Sequence, residues 1–310
     1  MTKFFRQANA KKLVGCSVIS LLVSFSTGGQ DLEPRTYANT PVGLNFLIAG
    51  YGHTEGGVAT DPALPIENFQ VEMHSGVLAY ARAIDVYGKS AKFDLVLPYA
   101  SLEGSATVVG RERDREISGF SDPRAHFSLN FFGAPALSLK EFANYEQDTI
   151  VGMTIEVTAP GGQYDDSKLV NLGTNRWSIK PELGVSKRLG PITLELASGV
   201  RFYTDNDDFF GGKYRSQDPV YSVQGHLIYS LGYGIWAAAD ATFYTGGQTR
   251  VDGLKNNDSL ENSRAGATLA LPVNRSNSIK LYYSTSISGR RGSDFDMTGI
   301  AWQYRFADDF

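Results

Sequence analysis

Apolar and polar residues alternate one by one along most of this chain, in about twelve segments separated by turns and loops. The last segment, residues 296–306, shows the pattern plainly. Ile300, Trp302, Tyr304 and Phe306 fall on one face, and Ala301, Gln303 and Arg305 on the other. Successive side chains of a strand point to opposite faces, so this strand has one aromatic face and one polar face. A soluble sheet buries its apolar face in a core and seldom finishes on a row of large aromatics. A transmembrane barrel points apolar residues out to lipid and polar ones into a lumen, with aromatics at the interfaces. The segment reads as the closing strand of such a barrel, the part that the outer-membrane assembly machinery would engage.

Earlier segments repeat the pattern. Strands are predicted at residues 42–53, 71–84, 91–102, 124–131, 150–159, 176–187, 192–203, 220–231, 235–245, 264–271 and 278–287. In the fourth, Ala125, Phe127, Leu129 and Phe131 alternate with Arg124, His126, Ser128 and Asn130. Residues 137–145 could form a short helix. Short turns at 85–90, 188–191, 232–234 and 272–277 alternate with longer polar loops at 54–68, 103–118, 160–175, 205–219, 246–262 and 288–294. Short periplasmic turns and longer outer loops are the habit of bacterial outer-membrane barrels. Pro98, Pro160 and Pro272 sit near strand ends, and Pro181 is expected to mark a bulge. The fold class is therefore all-β: a transmembrane antiparallel β-barrel of about 12 strands whose closure removes the edges that lipid cannot satisfy.

Composition agrees. The 310 residues are 42% hydrophobic and 20% charged, with 33 Gly, 16 Tyr and a mean hydropathy of -0.21. Beyond the N-terminus no stretch has the ~18 apolar residues of a membrane helix. Residues 1–29 read as a secretory signal peptide: Lys3, Arg6, Lys11 and Lys12 precede an apolar run and a small-residue cleavage region. Residues 30–310 are then the barrel domain. Cleavage would remove four of the 29 basic residues and no acidic one, leaving 25 against 33 and a net charge of -8. That balance disfavours nucleic acid as a partner. The only cysteine, Cys16, would leave with the signal. The run Leu13-Val14-Gly15-Cys16 imitates a lipoprotein box, but most of the apolar run follows it rather than precedes it.

Several segments carry a family resemblance. Leu32-Glu33-Pro34-Arg35-Thr36-Tyr37 followed by Pro41-Val42-Gly43-Leu44-Asn45-Phe46 resembles the start of mature proteins of the family named for the meta-pathway of phenol degradation. Gly119 to Arg124, Asn175-Arg176-Trp177-Ser178, Lys180 to Gly184, and Thr204 to Phe210 are also similar to it. The resemblance spans essentially the whole mature chain and implies an outer-membrane transporter barrel, with some members encoded beside genes for aromatic degradation. It implies no catalytic residues.

If the polar faces point inward, the lumen carries Lys92, Asp94, Arg124, His126, Glu156, Arg176, Lys180, Glu182, Glu195, Arg201, His226, Asp240, Arg264, Lys280, Gln303 and Arg305. Such charges could pair to hold the wall in shape, or line a pathway that selects a small solute. Asp205 and Asp207 with Phe209 and Phe210 suggest a solute entrance on an outer loop. Clustered acids there could hold calcium, but the spacing of a dedicated calcium loop is absent. His126 and Ser128 share one strand face, as in outer-membrane acyl hydrolases, yet those enzymes present the pair to lipid, where Phe127 and Leu129 stand here. No cofactor or metal site is expected. The sequence thus predicts an outer-membrane channel for passive uptake of small hydrophobic or aromatic compounds, in contact with lipid and lipopolysaccharide. The competing readings are a plugged structural barrel and, more remotely, the hydrolase.

Overall fold

The structure, a computed structural model, describes residues 33–59, 66–108, 111–168, 170–289 and 292–307. The signal peptide expected at 1–29 lies outside the described residues. In chain order the strands are β1 (Leu44–Ala59), β2 (Ile66–Val86), β3 (Lys89–Val108), β4 (Arg111–Phe120), β5 (Arg124–Phe132), β6 (Thr149–Thr158), β7 (Ser178–Leu189), β8 (Ile192–Tyr203), β9 (Asn206–Phe209), β10 (Lys213–Gln217), β11 (Val220–Gly232), β12 (Ile235–Gly246), β13 (Thr249–Val251), β14 (Leu254–Lys255), β15 (Leu260–Pro272), β16 (Asn277–Gly289) and β17 (Gly292–Ala307). One helical turn, α1 (Leu139–Phe142), lies between β5 and β6.

Twelve of these strands (β1 to β3, β5 to β8, β11, β12 and β15 to β17) form a closed antiparallel barrel. β1 seals it against β17 in unbroken register from Leu44 opposite Ala307 to Ala59 opposite Gly292. Strand β4 continues the line of β5 beyond a break at Ser121-Asp122-Pro123 and pairs with the outer half of β3. Proline at the break withholds a ladder donor. The short turns bear out their expected places. Tyr87-Gly88 and Tyr233-Gly234 take positive φ at both positions, which fits a two-residue hairpin turn whose glycine costs no Cβ clash.

The apolar residues are on the outside. Leu78 is 63% exposed and Leu183 61%, and Phe93, Leu95, Leu97, Phe127, Leu194, Leu196, Leu227 and Ile300 are exposed with them. Ser128, Glu156, Glu182, Glu195, Gln224, His226, Asp240 and Arg264 are buried. In water this inversion would be unstable, because burying unpaired polar groups costs and exposing apolar ones gains nothing. In lipid it is the stable arrangement. On the closing strand Trp302 stacks on Tyr304 and Tyr304 on Phe306, with centroids 6.2 and 5.7 Å apart.

Three expectations are corrected. Residues 54–68 and 103–118 are not simply loops: β1, β2, β3 and β4 run well into them, raising one side of the wall above the rest. Pro181 makes no bulge, since Ile155 opposite Pro181 continues the register of β6 with β7 unshifted. And β9, β10, β13 and β14 assemble a separate four-stranded sheet from two outer loops, which were expected to lack strands. The expected helix is only α1, held by a capping box between Ser138 and Glu141.

Candidate functional site: the barrel lumen

One half of the inner wall is a lattice of paired charges. Strand alternation puts His126 of β5, Glu156 of β6 and Lys180 of β7 side by side in one cross-strand row. His126 stands between two carboxylates, Nδ1 at 2.5 Å from Asp94 Oδ2 and Nε2 at 3.2 Å from Glu156 Oε2. Arg201 Nη1 donates to Glu156 Oε1 at 2.5 Å, and Lys180 Nζ reaches Glu182 Oε2 at 2.8 Å. Gln224 Nε2 donates to the same Glu182 oxygen at 3.1 Å. Farther round, His226 Nδ1 lies 2.7 Å from Asp240 Oδ1, and Thr268 donates to Asp240 Oδ2 at 3.1 Å. Arg264 bonds Ser284 and stacks over Phe295 at 4.0 Å. Pairing of this kind is what removal of charge from bulk water requires.

The inner face of β1, of β2 and of the outer part of β3 is almost uncharged. The inward positions of β1 are Ile48, Gly50 and Gly52; those of β2 are Val77, Ala79 and Ala81; those of outer β3 are Val96, Pro98 and Ala100. Tyr282 of β16 lies flat over Gly299 of β17, where any Cβ would overlap its ring. The sequence reading missed this face by treating every inward position as polar. The signal was present: between Gly76 and Ile84 both faces of β2 are largely apolar.

Both ends carry inserted chain. At the periplasmic end, residues 33–41 enter the lumen. Tyr37, 1% exposed, lies on Gly152 and Gly184, and its hydroxyl donates to Glu182 Oε1 at 3.0 Å. Arg35 N–H donates to Glu195 Oε2 at 2.7 Å, and Lys92 Nζ to the Thr36 carbonyl at 2.7 Å. At the outer end Leu172, from the loop after β6, packs with Val71, Met73, Ala100, Leu102 and Ile117 on the inner faces of β2, β3 and β4. That loop is tied to the β4–β5 break by Asp122, which accepts from Gly162 N–H and from Thr174 N–H and hydroxyl.

The predicted site residues divide accordingly. Asp94, His126, Glu156, Lys180, Glu182 and Arg201 come together in one lattice, with Arg124 one inward position above His126 and with Glu195 and His226 opposite each other nearer the periplasm. Arg176 lies higher, stacked 4.3 Å over Tyr203 and bonded to Gln217. Arg305 lies apart at the periplasmic rim, its Nε donating 2.6 Å to the Arg275 carbonyl. On the outer loops Asp207 is exposed and Asp205 accepts from the Tyr214 hydroxyl. Phe209 is buried under Arg215, 5.4 Å from its ring, and Phe210 lies 5.9 Å from Lys213. Ser128 bonds Thr154 at 2.9 Å while both nitrogens of His126 face carboxylates, so the pair is not arranged as nucleophile and base.

A family model described as "Putative MetA-pathway of phenol degradation" matches residues 52–304. Among solved structures the chain is similar to an outer membrane channel from Pseudomonas putida F1, with a TM-score of 0.75 at 21% identity over 89% of this chain and 100% of that one. It is also similar to the beta domain of the Bordetella autotransporter Brka, with a TM-score of 0.51 at 10% identity over 84% and 99%. The translocator domain of the autotransporter NalP from Neisseria meningitidis gives a TM-score of 0.51 at 10% identity over 87% and 91%. These likenesses are of fold. No curated protein matches the chain.

Proposed function

The chain belongs to this phenol-degradation family of outer-membrane barrels, and from that premise we propose that it is a passive channel for small hydrophobic or aromatic compounds. The observation that carries the proposal is the divided inner face. A wholly charged lumen would repel an aromatic ring; a wholly apolar one would hold it and exclude water. Here Val77, Ala79, Ala81, Val96 and Pro98 line one side of the inner face, His126, Glu156 and Arg201 line another, and Asp94 on β3 lies at the boundary. A phenol or aromatic acid could turn its ring to the first wall and its polar group to the second. The similarity to a Pseudomonas channel supports the same reading at the level of fold. The proposal includes a secretory leader through residue 29, one barrel domain from residue 30 to residue 310, recognition of β17 by the assembly machinery, and no catalysis.

The inserted residues 33–41 and the Leu172 cap favour a second reading, a barrel permanently closed. Flux separates the two. Liposomes carrying the folded protein should admit phenols and aromatic acids faster than protein-free liposomes, with saturation. Planar bilayers should show small steps that a permeant aromatic blocks. A folded protein giving neither flux nor block would replace the channel with the closed barrel.

A further inference from the structure

Above the lipid-facing band, β17, β1, β2, β3 and β4 place five carboxylates side by side on their outer face. Asp296 is opposite Glu55, Glu55 opposite Glu72, Glu72 opposite Glu103, and Glu103 opposite Glu116. Like charges directly opposed across strands destabilise a sheet. Among the described residues none of the five forms an ion pair with a lysine or arginine; Glu55 and Glu72 meet only histidines. The row one step nearer the membrane holds His53 directly opposite His74, and the row below that holds Tyr51, Tyr99 and Phe120. Two imidazoles therefore stand between an aromatic belt and an unneutralised acidic row.

We propose that His53, His74 and Glu72 form a binding site for a transition-metal dication of the zinc class on the outer wall of the barrel. The ligand atoms of the three lie within 4.8 Å of one another. His74 Nε2 is 3.4 Å and His53 Nδ1 4.0 Å from the same oxygen, Glu72 Oε1, while His53 Nε2 is 3.6 Å from Glu55 Oε2. Around a tetrahedral ion with bonds of about 2.0 Å, ligands stand about 3.3 Å apart, so side-chain rotation closes the site without moving the backbone. Two further observations point to an ion rather than to ion pairs alone. The Tyr51 hydroxyl bonds His74 Nδ1 at 2.7 Å, which fixes the ring with Nε2 aimed at Glu72, as outer partners of metal-bound histidines do. And His53 Nδ1 is shut off from water with no hydrogen-bond partner, a cost that coordination would remove. Two imidazoles and a carboxylate suit zinc, nickel or copper, whereas calcium and magnesium want oxygen throughout. A bound dication would staple β1 to β2 beside the β1–β17 seam and offset part of the acidic row.

The test uses the full chain, made without a polyhistidine tag, folded in detergent and stripped with chelator. Zn2+ should bind one-to-one by calorimetry with micromolar affinity and resist millimolar Ca2+ and Mg2+. His74→Ala and Glu72→Gln should each weaken it about tenfold or more. Zn2+ should also raise the temperature at which the folded band converts on a gel, in the unaltered protein but not in the variants. Should a variant fail to fold, Cu2+ bound to the unaltered protein should show two imidazole nitrogens by electron paramagnetic resonance. Absence of one-to-one Zn2+ binding, binding unchanged in both variants, displacement by Ca2+, or a Cu2+ spectrum without imidazole would each overturn the site.

Discussion

Glu156 shows what a single residue contributes to this lumen. Its side chain is 5% exposed and is held by His126 on one side and Arg201 on the other. Glu156→Gln removes the anion that His126 and Arg201 share and takes this carboxylate from the Arg201 guanidinium, a change that costs about 3 kcal/mol for a buried pair. The folded band should therefore convert at a lower temperature on a gel, and Arg201→Gln in the same chain should recover part of the loss. Gly184 makes a steric counterpart, because the Tyr37 ring occupies the space of its missing side chain. Gly184→Val should expel Tyr37 from its seat, read as increased conductance in planar bilayers with the barrel intact. The alternation of residues 124–131 already assigned His126 to the inner face. It could not name Asp94 or Arg201 as neighbours, because the register of β5 on β3, and of β6 on β7 and β7 on β8, decides which inward residues meet.

At the scale of elements, the inserted N-terminal segment and the outer loop sheet are the parts that pairing rules along the chain do not anticipate. Residues 33–41 lack alternation, and their hold on the lumen comes from single bonds: Arg35 to Glu195, Tyr37 to Glu182 and Thr36 to Lys92. Deleting residues 33–41 should raise single-channel conductance while leaving heat-modifiable mobility in place; unchanged conductance would mean that the segment does not limit the path. In the outer sheet, β10 pairs with β13 across two different loops, and Arg250 is bonded to Asp218 at 2.6 Å. The guanidinium holds the Asp218 carboxyl below its usual range. A carboxyl depressed in the folded state stabilises it above the unfolded value and ceases to do so as the pH falls through the folded value. Amide exchange in β10 and β13 should therefore quicken modestly below about pH 4, the effect being small because both groups are exposed. Arg250→Ala should remove that dependence.

For the whole molecule, the divided lumen makes a prediction that a uniformly polar one would not. Ala79 faces inward opposite Ile48 on the uncharged wall, so Ala79→Trp should fill that half and slow phenol flux without touching an ion pair. Equal flux would place the path elsewhere. The sequence by itself determined the barrel: strict alternation assigned each strand a wet and a greasy face, and alternating connection lengths set the strand count and topology. It also marked β17 as the closing strand, since its aromatics follow from local order alone. Tertiary structure decided what lies next to what. Which charges pair, and that five acids and two histidines align across the outer rim, depend on the register between paired strands, and that residues 33–41 enter the lumen depends on contacts far along the chain. A two-residue period fixes the face of a side chain but not its height against a neighbour, and only the pairing register in the folded sheet supplies that height.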